Sequence, residues 1–201
     1  MFHLLPSPPE AAGSGSVRPS SESAILFAGP SGAGKATAIA SVSDTPVITA
    51  PIEEIATANL GSTDEHDAFV FGQMILPEGK VIRLCGVPDR DIADVRWSTG
   101  LRAQGLVLLI DDSARAPIVA LERFLDRFAD LCREGAAVIG VTRTDLRAGA
   151  VNMRRYRHCV RRRRRMIPIY EIDARDRVQM LVLLAALIEM IRLRAIEFDA
   201  D

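Results

Sequence analysis

The sequence predicts an α/β fold: a mostly parallel sheet with one antiparallel edge strand and helices on both faces. Three observations carry this expectation. Short apolar runs alternate with segments whose apolar residues recur at helical spacing, the order that gives a parallel sheet covered on both sides. Two runs, residues 105–110 (GLVLLI) and 136–141 (AAVIGV), are continuously apolar, as strands buried on both faces are. Residues 68–76 and 81–85 flank a Pro-Glu-Gly-Lys turn at 77–80, a β-hairpin signature that places an antiparallel strand at an edge.

Residues 1–21 are rich in Pro, Ser, Gly and Ala without a packing pattern. They read as a disordered leader, and residues 22–201 as one domain. A strand at 23–28 (SAILFA) meets a glycine-rich turn at 29–35, and a helix follows over 36–42. Residues 43–67 show weak periodicity and read as a long loop. After the hairpin come a short helix at 89–99 and the strand at 105–110. Residues 117–133 place Val119, Leu121, Phe124, Leu125, Phe128 and Leu131 at helical spacing, with Gly135 as the stop. The strand 136–141, a helix over 152–163, a strand at 166–172 and a long helix over 176–198 complete the order.

Composition narrows the function classes. The 201 residues are 48% apolar with a net charge of −1, so overall charge points to neither nucleic acid nor membrane. Cys85, Cys132 and Cys159 are scattered without metal-ligand spacing, as in a reduced, cytoplasmic protein. The three histidines, His3, His66 and His158, suggest no metal site. No secretory signal is visible, and the most apolar stretch, residues 180–191, is too short to span a bilayer and contains Glu189. It reads as a buried helix. Lys35 and Lys80 are the two lysines among 25 basic residues.

Lys35 ends the motif Gly29-Pro30-Ser31-Gly32-Ala33-Gly34-Lys35, which fits G-x-x-x-x-G-K. Glycines let consecutive backbone N–H groups turn inward onto phosphate oxygens. The helix that follows aims its positive end at the same place, and lysine supplies a mobile charge. A strand precedes and a helix follows, as this phosphate loop requires. The hydroxyl that normally follows the lysine and binds Mg²⁺ is replaced by Ala36, and Thr37 points elsewhere, so weakened Mg²⁺ coordination is expected. Asp111 and Asp112 end the 105–110 strand. They read either as a substitute metal ligand or as a cap with Ser113.

Thr142-Arg143-Thr144-Asp145 follows a buried strand. An aspartate there can accept two hydrogen bonds from the guanine N1–H and amino group, a donor pair that adenine lacks. Asp173-Ala174-Arg175 ends the next strand.

From these motifs the chain resembles the bacterial Ras-like small GTPases, in the MglA-like branch of gliding and cell-polarity GTPases, over about residues 23–193. GPSGAGKAT at 29–37 stands where that family has GPxGAGKTT. Thr142–Asp145 matches its guanine motif, and Asp173, Ala174 and Arg175 match its last base-contacting loop. The resemblance implies a P-loop Ras-like domain that binds GTP and GDP and acts as a switch. It also implies a regulatory partner, roadblock-type proteins being common beside this family, with no DNA contact and no transmembrane segment. The family's G-T-P-G-Q switch corresponds to residues 86–90, Gly-Val-Pro-Asp-Arg. Asp89 replaces the glycine facing the γ-phosphate and repels phosphate unless it turns away. Arg90 replaces the water-orienting glutamine and is the candidate catalytic residue, through offsetting phosphate charge. Residues 64–67 (DEHD) replace the threonine run of the first switch.

The resemblance therefore implies slow hydrolysis. A degenerate pseudo-GTPase scaffold with weak or no nucleotide binding is the alternative, and a guanylate-kinase-like enzyme, whose phosphate loop also reads GPSGAGK, is a third. Residues 154–165 hold eight arginines, which read as a solvated helix face or as a surface for an acidic partner. Their sign is opposite to that of residues 64–67, which leaves self-association open.

Overall fold

A computed structural model describes residues 23–51, 68–89, 103–134, 136–146, 149–163 and 166–198. The leader, residues 52–67 and the expected short helix at 90–99 lie outside them.

The described chain runs β1 (Ser23–Ala28), α1 (Lys35–Val42), β2 (Ile48–Pro51), β3 (Ala68–Ile75), β4 (Val81–Gly86), β5 (Ala103–Asp111), α2 (Pro117–Arg127), α3 (Ala129–Glu134), β6 (Ala136–Thr142), α4 (Met153–Arg162), β7 (Ile169–Glu171) and α5 (Arg177–Phe198). The strands form one seven-stranded sheet in the order β2-β3-β4-β1-β5-β6-β7. Pairing is parallel from β4 through β7, and the β3–β4 hairpin makes one side antiparallel. The Ala68 hairpin is thus where its turn residues place it, closed by Gly79, whose N–H donates to the Leu76 carbonyl. β2, inside the stretch read as loop, adds an outer strand antiparallel to β3. Its four residues are too few for a periodicity signal.

Alternation along the central strands sorts the core into two layers. Leu106, Leu108 and Ile110 of β5, with Ile139 and Val141 of β6, face Leu121, Phe124 and Leu125 of α2 and Tyr156 and Val160 of α4. Val107, Leu109 and Val138 face the other way, onto Ile39 and Val42 of α1 and Met180, Leu183, Leu184 and Leu187 of α5. Both faces of β5 and β6 are therefore covered, which is why these strands read as unbroken apolar runs.

Three elements differ from expectation. The helix over 117–133 divides at Phe128, whose backbone leaves helical geometry (φ −102°, ψ 29°) while its ring stays buried, stacked on Phe124 at 6.3 Å. The strand at 166–172 shortens to β7 because Pro168 has no N–H to contribute to the ladder, only a carbonyl that accepts from Ile139 N–H at 2.9 Å. The apolar final helix is buried along one face only. Val178, Val182, Leu193 and Ile196 are exposed. Among the described residues no helix is long and apolar enough to cross a membrane.

A short polar joint fixes how α1 meets the hairpin. Asp44 N–H donates to the Gln73 carbonyl at 2.7 Å. The Asp44 carboxylate accepts from Ile75 N–H at 2.9 Å and from Arg177 of α5 at 3.0 Å. The Ile75 N–H bond first, and Arg177 second, hold its carboxyl below the ordinary value near 3.8. A depressed carboxyl stabilises the fold at pH above its unfolded value, and that contribution is lost as pH falls through the folded one. Asp44→Asn is therefore expected to lower the urea midpoint at pH 7 and to leave it little changed at a pH below both values. Leu108, fully buried between β5 and α2, is a test of the layer: Leu108→Ala is expected to cost about 2–5 kcal/mol in urea unfolding.

Candidate functional site

The carboxyl ends of β1, β5, β6 and β7 bring most of the sequence-derived residues together. The first is the loop after β1. Gly29 has φ 149°, and a Cβ there would lie 2.1 Å from the Leu109 carbonyl oxygen of β5, so no side chain fits. Gly32 (φ 78°) and Gly34 (φ 95°) take the left-handed turns that glycine adopts without a steric penalty. Gly34 is the N-cap of α1, and no side chain caps that first turn. Its N–H groups and the positive end of the helix dipole thus face the loop.

Lys35 folds back over this loop. Its Nζ donates to the carbonyls of Gly29 at 2.8 Å and Pro30 at 2.9 Å. These two partners are neutral oxygens, which a phosphate oxygen would outbid by charge. Ala36 and Thr37 are exposed on the first turn of α1.

The second contribution comes from the end of β6. Thr142 is buried, and its hydroxyl reaches the Ala33 carbonyl at 3.1 Å and the Ile110 carbonyl at 3.4 Å. The residue read from sequence as part of a base-contacting segment thus ties the phosphate loop to two strand ends. Arg143 follows in a left-handed conformation (φ 54°), uncommon for a side-chain-bearing residue and costing about 1–2 kcal/mol. That backbone turns the guanidinium toward the loop: its Nη1 lies 3.9 Å from where a Cβ on Gly32 would stand, and 3.1 Å from Asp111 Oδ2.

The third contribution is a pair of exposed loops. Asp145 sits in a single 3₁₀ turn, Thr144–Leu146. Asp173, Ala174 and Arg175 follow β7, and the Ala174 Cβ is 3.1 Å from the position a Cβ on Gly34 would take. The last loop therefore rests directly on the phosphate loop. Arg175 Nε donates to both Asp173 oxygens, at 2.9 and 3.1 Å, and Nη2 donates to Asp173 Oδ2 at 2.7 Å and Asp145 Oδ2 at 3.4 Å. These bonds to Arg175 pull the Asp173 carboxyl below its ordinary value.

Other predicted residues lie elsewhere. The Asp89 carboxylate turns away to α2, 2.6 Å from Arg123 Nη2, and its carbonyl accepts from Arg127 at 2.5 Å. Arginines four apart on α2 are the sequence signal for that clasp. Arg90, His66 and residues 64–67 lie outside the described residues. Asp111 closes a turn, its Oδ1 accepting from Ser113 N–H at 2.8 Å and from the Ser113 hydroxyl at 2.6 Å. This turn precedes α2 without capping it, because Ala116 is that helix's N-cap. Asp112 is buried and bonded to the Tyr156 hydroxyl and, at 2.6 Å, to Arg155 Nη2. Burial, then Asp112, push the Tyr156 hydroxyl up to about 12. Both aspartates thus hold protein groups, and among the described residues no group of three His, Cys, Asp or Glu is placed to hold a metal ion. With a methyl group at Ala36, these residues do not fit the Mg²⁺ that the sequence resemblance implies.

The arginine run divides by role. Arg155 serves Asp112, and Arg163 binds Asp126 at 3.0 Å and Glu122 at 3.2 Å, joining α4 to α2. Arg154, Arg157, His158, Arg161 and Arg162 are exposed on one side of α4. Arg164 and Arg165 lie outside the described residues.

No protein-family model matches the chain, and no curated protein matches it in sequence.

Thr142→Val tests the tie between β6 and the loop. It leaves the Ala33 carbonyl without its hydroxyl partner, and a thermal melt is expected to show a loss of about 1–3 kcal/mol.

Proposed function

We propose that this chain is a guanine-nucleotide-binding protein of the Ras-like small GTPase type, a regulatory switch in the cytoplasm that works through a partner protein of the roadblock type and hydrolyses slowly. One observation supports the reading above others: the Asp173–Arg175 loop packs on Gly34 through Ala174 and reaches Asp145 through Arg175, so one loop links an aspartate suited to the guanine edge to the glycine cradle. Phosphates would sit on that cradle and the α1 N-terminus, with Lys35 exchanging its carbonyl partners for phosphate oxygens. The base would lie across Ala174 toward Asp145, where its N1–H and amino group find a carboxylate.

Ala36 offers no hydroxyl to Mg²⁺. Nucleotide affinity should therefore depend only weakly on Mg²⁺. Slow hydrolysis follows from Arg90 in place of a water-orienting glutamine.

A second reading, a pseudo-GTPase scaffold, draws on Asp89. Its carboxylate is committed to Arg123 and its carbonyl to Arg127, so the loop after β4 is tethered to α2 and not to a γ-phosphate.

Titration of nucleotide-stripped protein with fluorescent GTP, GDP and ATP, with and without Mg²⁺, separates the two. The switch reading expects submicromolar, guanine-selective binding, weakened about 10–100-fold by Lys35→Met, the worth of a charged hydrogen bond or two. Absence of binding to all three nucleotides transfers the case to the scaffold. Equal binding of ATP and GTP removes Asp145 as a base reader.

A further inference from the structure

We propose that Arg175 is an internal competitor for the base: its guanidinium occupies Asp145 in the nucleotide-free protein and must be displaced before guanine can bind. The inference rests on the guanine-nucleotide reading above and concerns how that same site is controlled.

The argument begins with chemical likeness. A guanidinium is planar and presents parallel N–H donors in a rigid fork. The guanine edge that a carboxylate recognises, N1–H beside the exocyclic amino group, is also a planar pair of parallel N–H donors. A carboxylate built to accept one accepts the other. In this chain the parallel pair, Nε and Nη2, faces Asp173, and the other side of Nη2 reaches Asp145 Oδ2 at 3.4 Å, so a single N–H imitates one half of the guanine pair.

The guanidinium is also held in place for this role. Asp173 grips it along one edge, through Nε at 2.9 and 3.1 Å and Nη2 at 2.7 Å. Asp173 is itself fixed, because its Oδ1 accepts from Arg175 N–H at 2.9 Å and its own N–H donates to the Gln179 side chain at 2.9 Å. Gln179 is held in turn by Asp176 at 2.8 Å. The second hydrogen of Nη2 is left for Asp145. Asp173 is the positioning residue and Arg175 the occupant.

The contact is exposed, with 69% of the Arg175 side chain and 60% of the Asp145 side chain accessible. Exposed pairs are weak and screened by salt. The latch is therefore one a ligand can open: it lowers guanine affinity by a small factor without blocking the site. It acts on guanine alone, because adenine has no donor pair to place on Asp145. The effect is a site that fills at a higher nucleotide concentration than its own contacts would set, with reduced preference for guanine over adenine.

The test compares wild type with Arg175→Gln, which stays polar but shortens the side chain and removes the charge and the fork, in titrations with fluorescent GDP and ADP on the full chain. The expected result is that the GDP-to-ADP affinity ratio rises about two- to fivefold, the scale of an exposed pair. The gain should shrink toward nothing near 1 M salt, where the screening length is about 3 Å. Asp173→Asn, which loosens the grip on the guanidinium, should move the ratio the same way. In the nucleotide-free wild type, the Arg175 Nε–Hε resonance should shift on addition of GDP and not of ADP. A ratio that is unchanged or falls in Arg175→Gln, with wild type still preferring GDP, overturns the latch and leaves the guanine reading standing. Wild type and variant both binding GDP and ADP alike overturns the guanine reading, and the latch with it.

Discussion

The arrangement rests on a steric constraint where β1 leaves the sheet. The chain passes so near β5 that Gly29 has no room for a Cβ against the Leu109 carbonyl. Because β1 is hydrogen-bonded on both sides, to β4 and β5, it cannot shift to make room. The loop that follows is therefore aimed by the centre of the sheet. Thr142 then anchors Ala33 from β6, and Ala174 closes on Gly34 from beyond β7. Three strands contribute to one small region, and each does so from its carboxyl end, where open parallel sheets gather their ligand-binding loops.

Electrostatics around that region are nearly all arginine and aspartate, and they are largely paired. Asp111 holds Arg143, Asp112 holds Arg155, Asp173 holds Arg175, and Asp89 holds Arg123. The buried Asp112 pair is of a kind whose desolvation cost rivals its Coulomb gain, so its value is in fixing α4 against the sheet more than in net stability. Lys35 is different in kind. Two of its partners are the carbonyls of Gly29 and Pro30, and its stem is flexible enough to move.

The central architecture was legible because the strands there are covered on both sides and announce themselves as unbroken apolar runs. The glycine-rich loop was legible because glycine is required at fixed offsets between a strand and a helix. The edge was less so: β2 is too short for a pattern, and the register that sets Ile169 opposite Ile139, just past Pro168, is one no local sequence reveals. At the site, Asp145 and Arg175 were each visible as motif residues, but their contact spans 30 positions. The commitment of Asp89 to α2 spans 34 positions, and only the pair of arginines on α2 hinted at it. Sequence shows which groups are present at a sheet edge. Which of them pair with one another is decided by the packing of helices such as α2.

The order of pairing also governs when the site comes into being. β1 begins at Ser23, and its parallel neighbour β5 begins 80 residues later, at Ala103. At roughly 5–20 residues per second of synthesis, β1 waits several seconds for that partner. Thr142 and Ala174, which lock the loop after β1, emerge later still. The loop is thus synthesised well before the residues that organise it. Until β4 and then β5 emerge, β1 is a short apolar strand with unpaired edges.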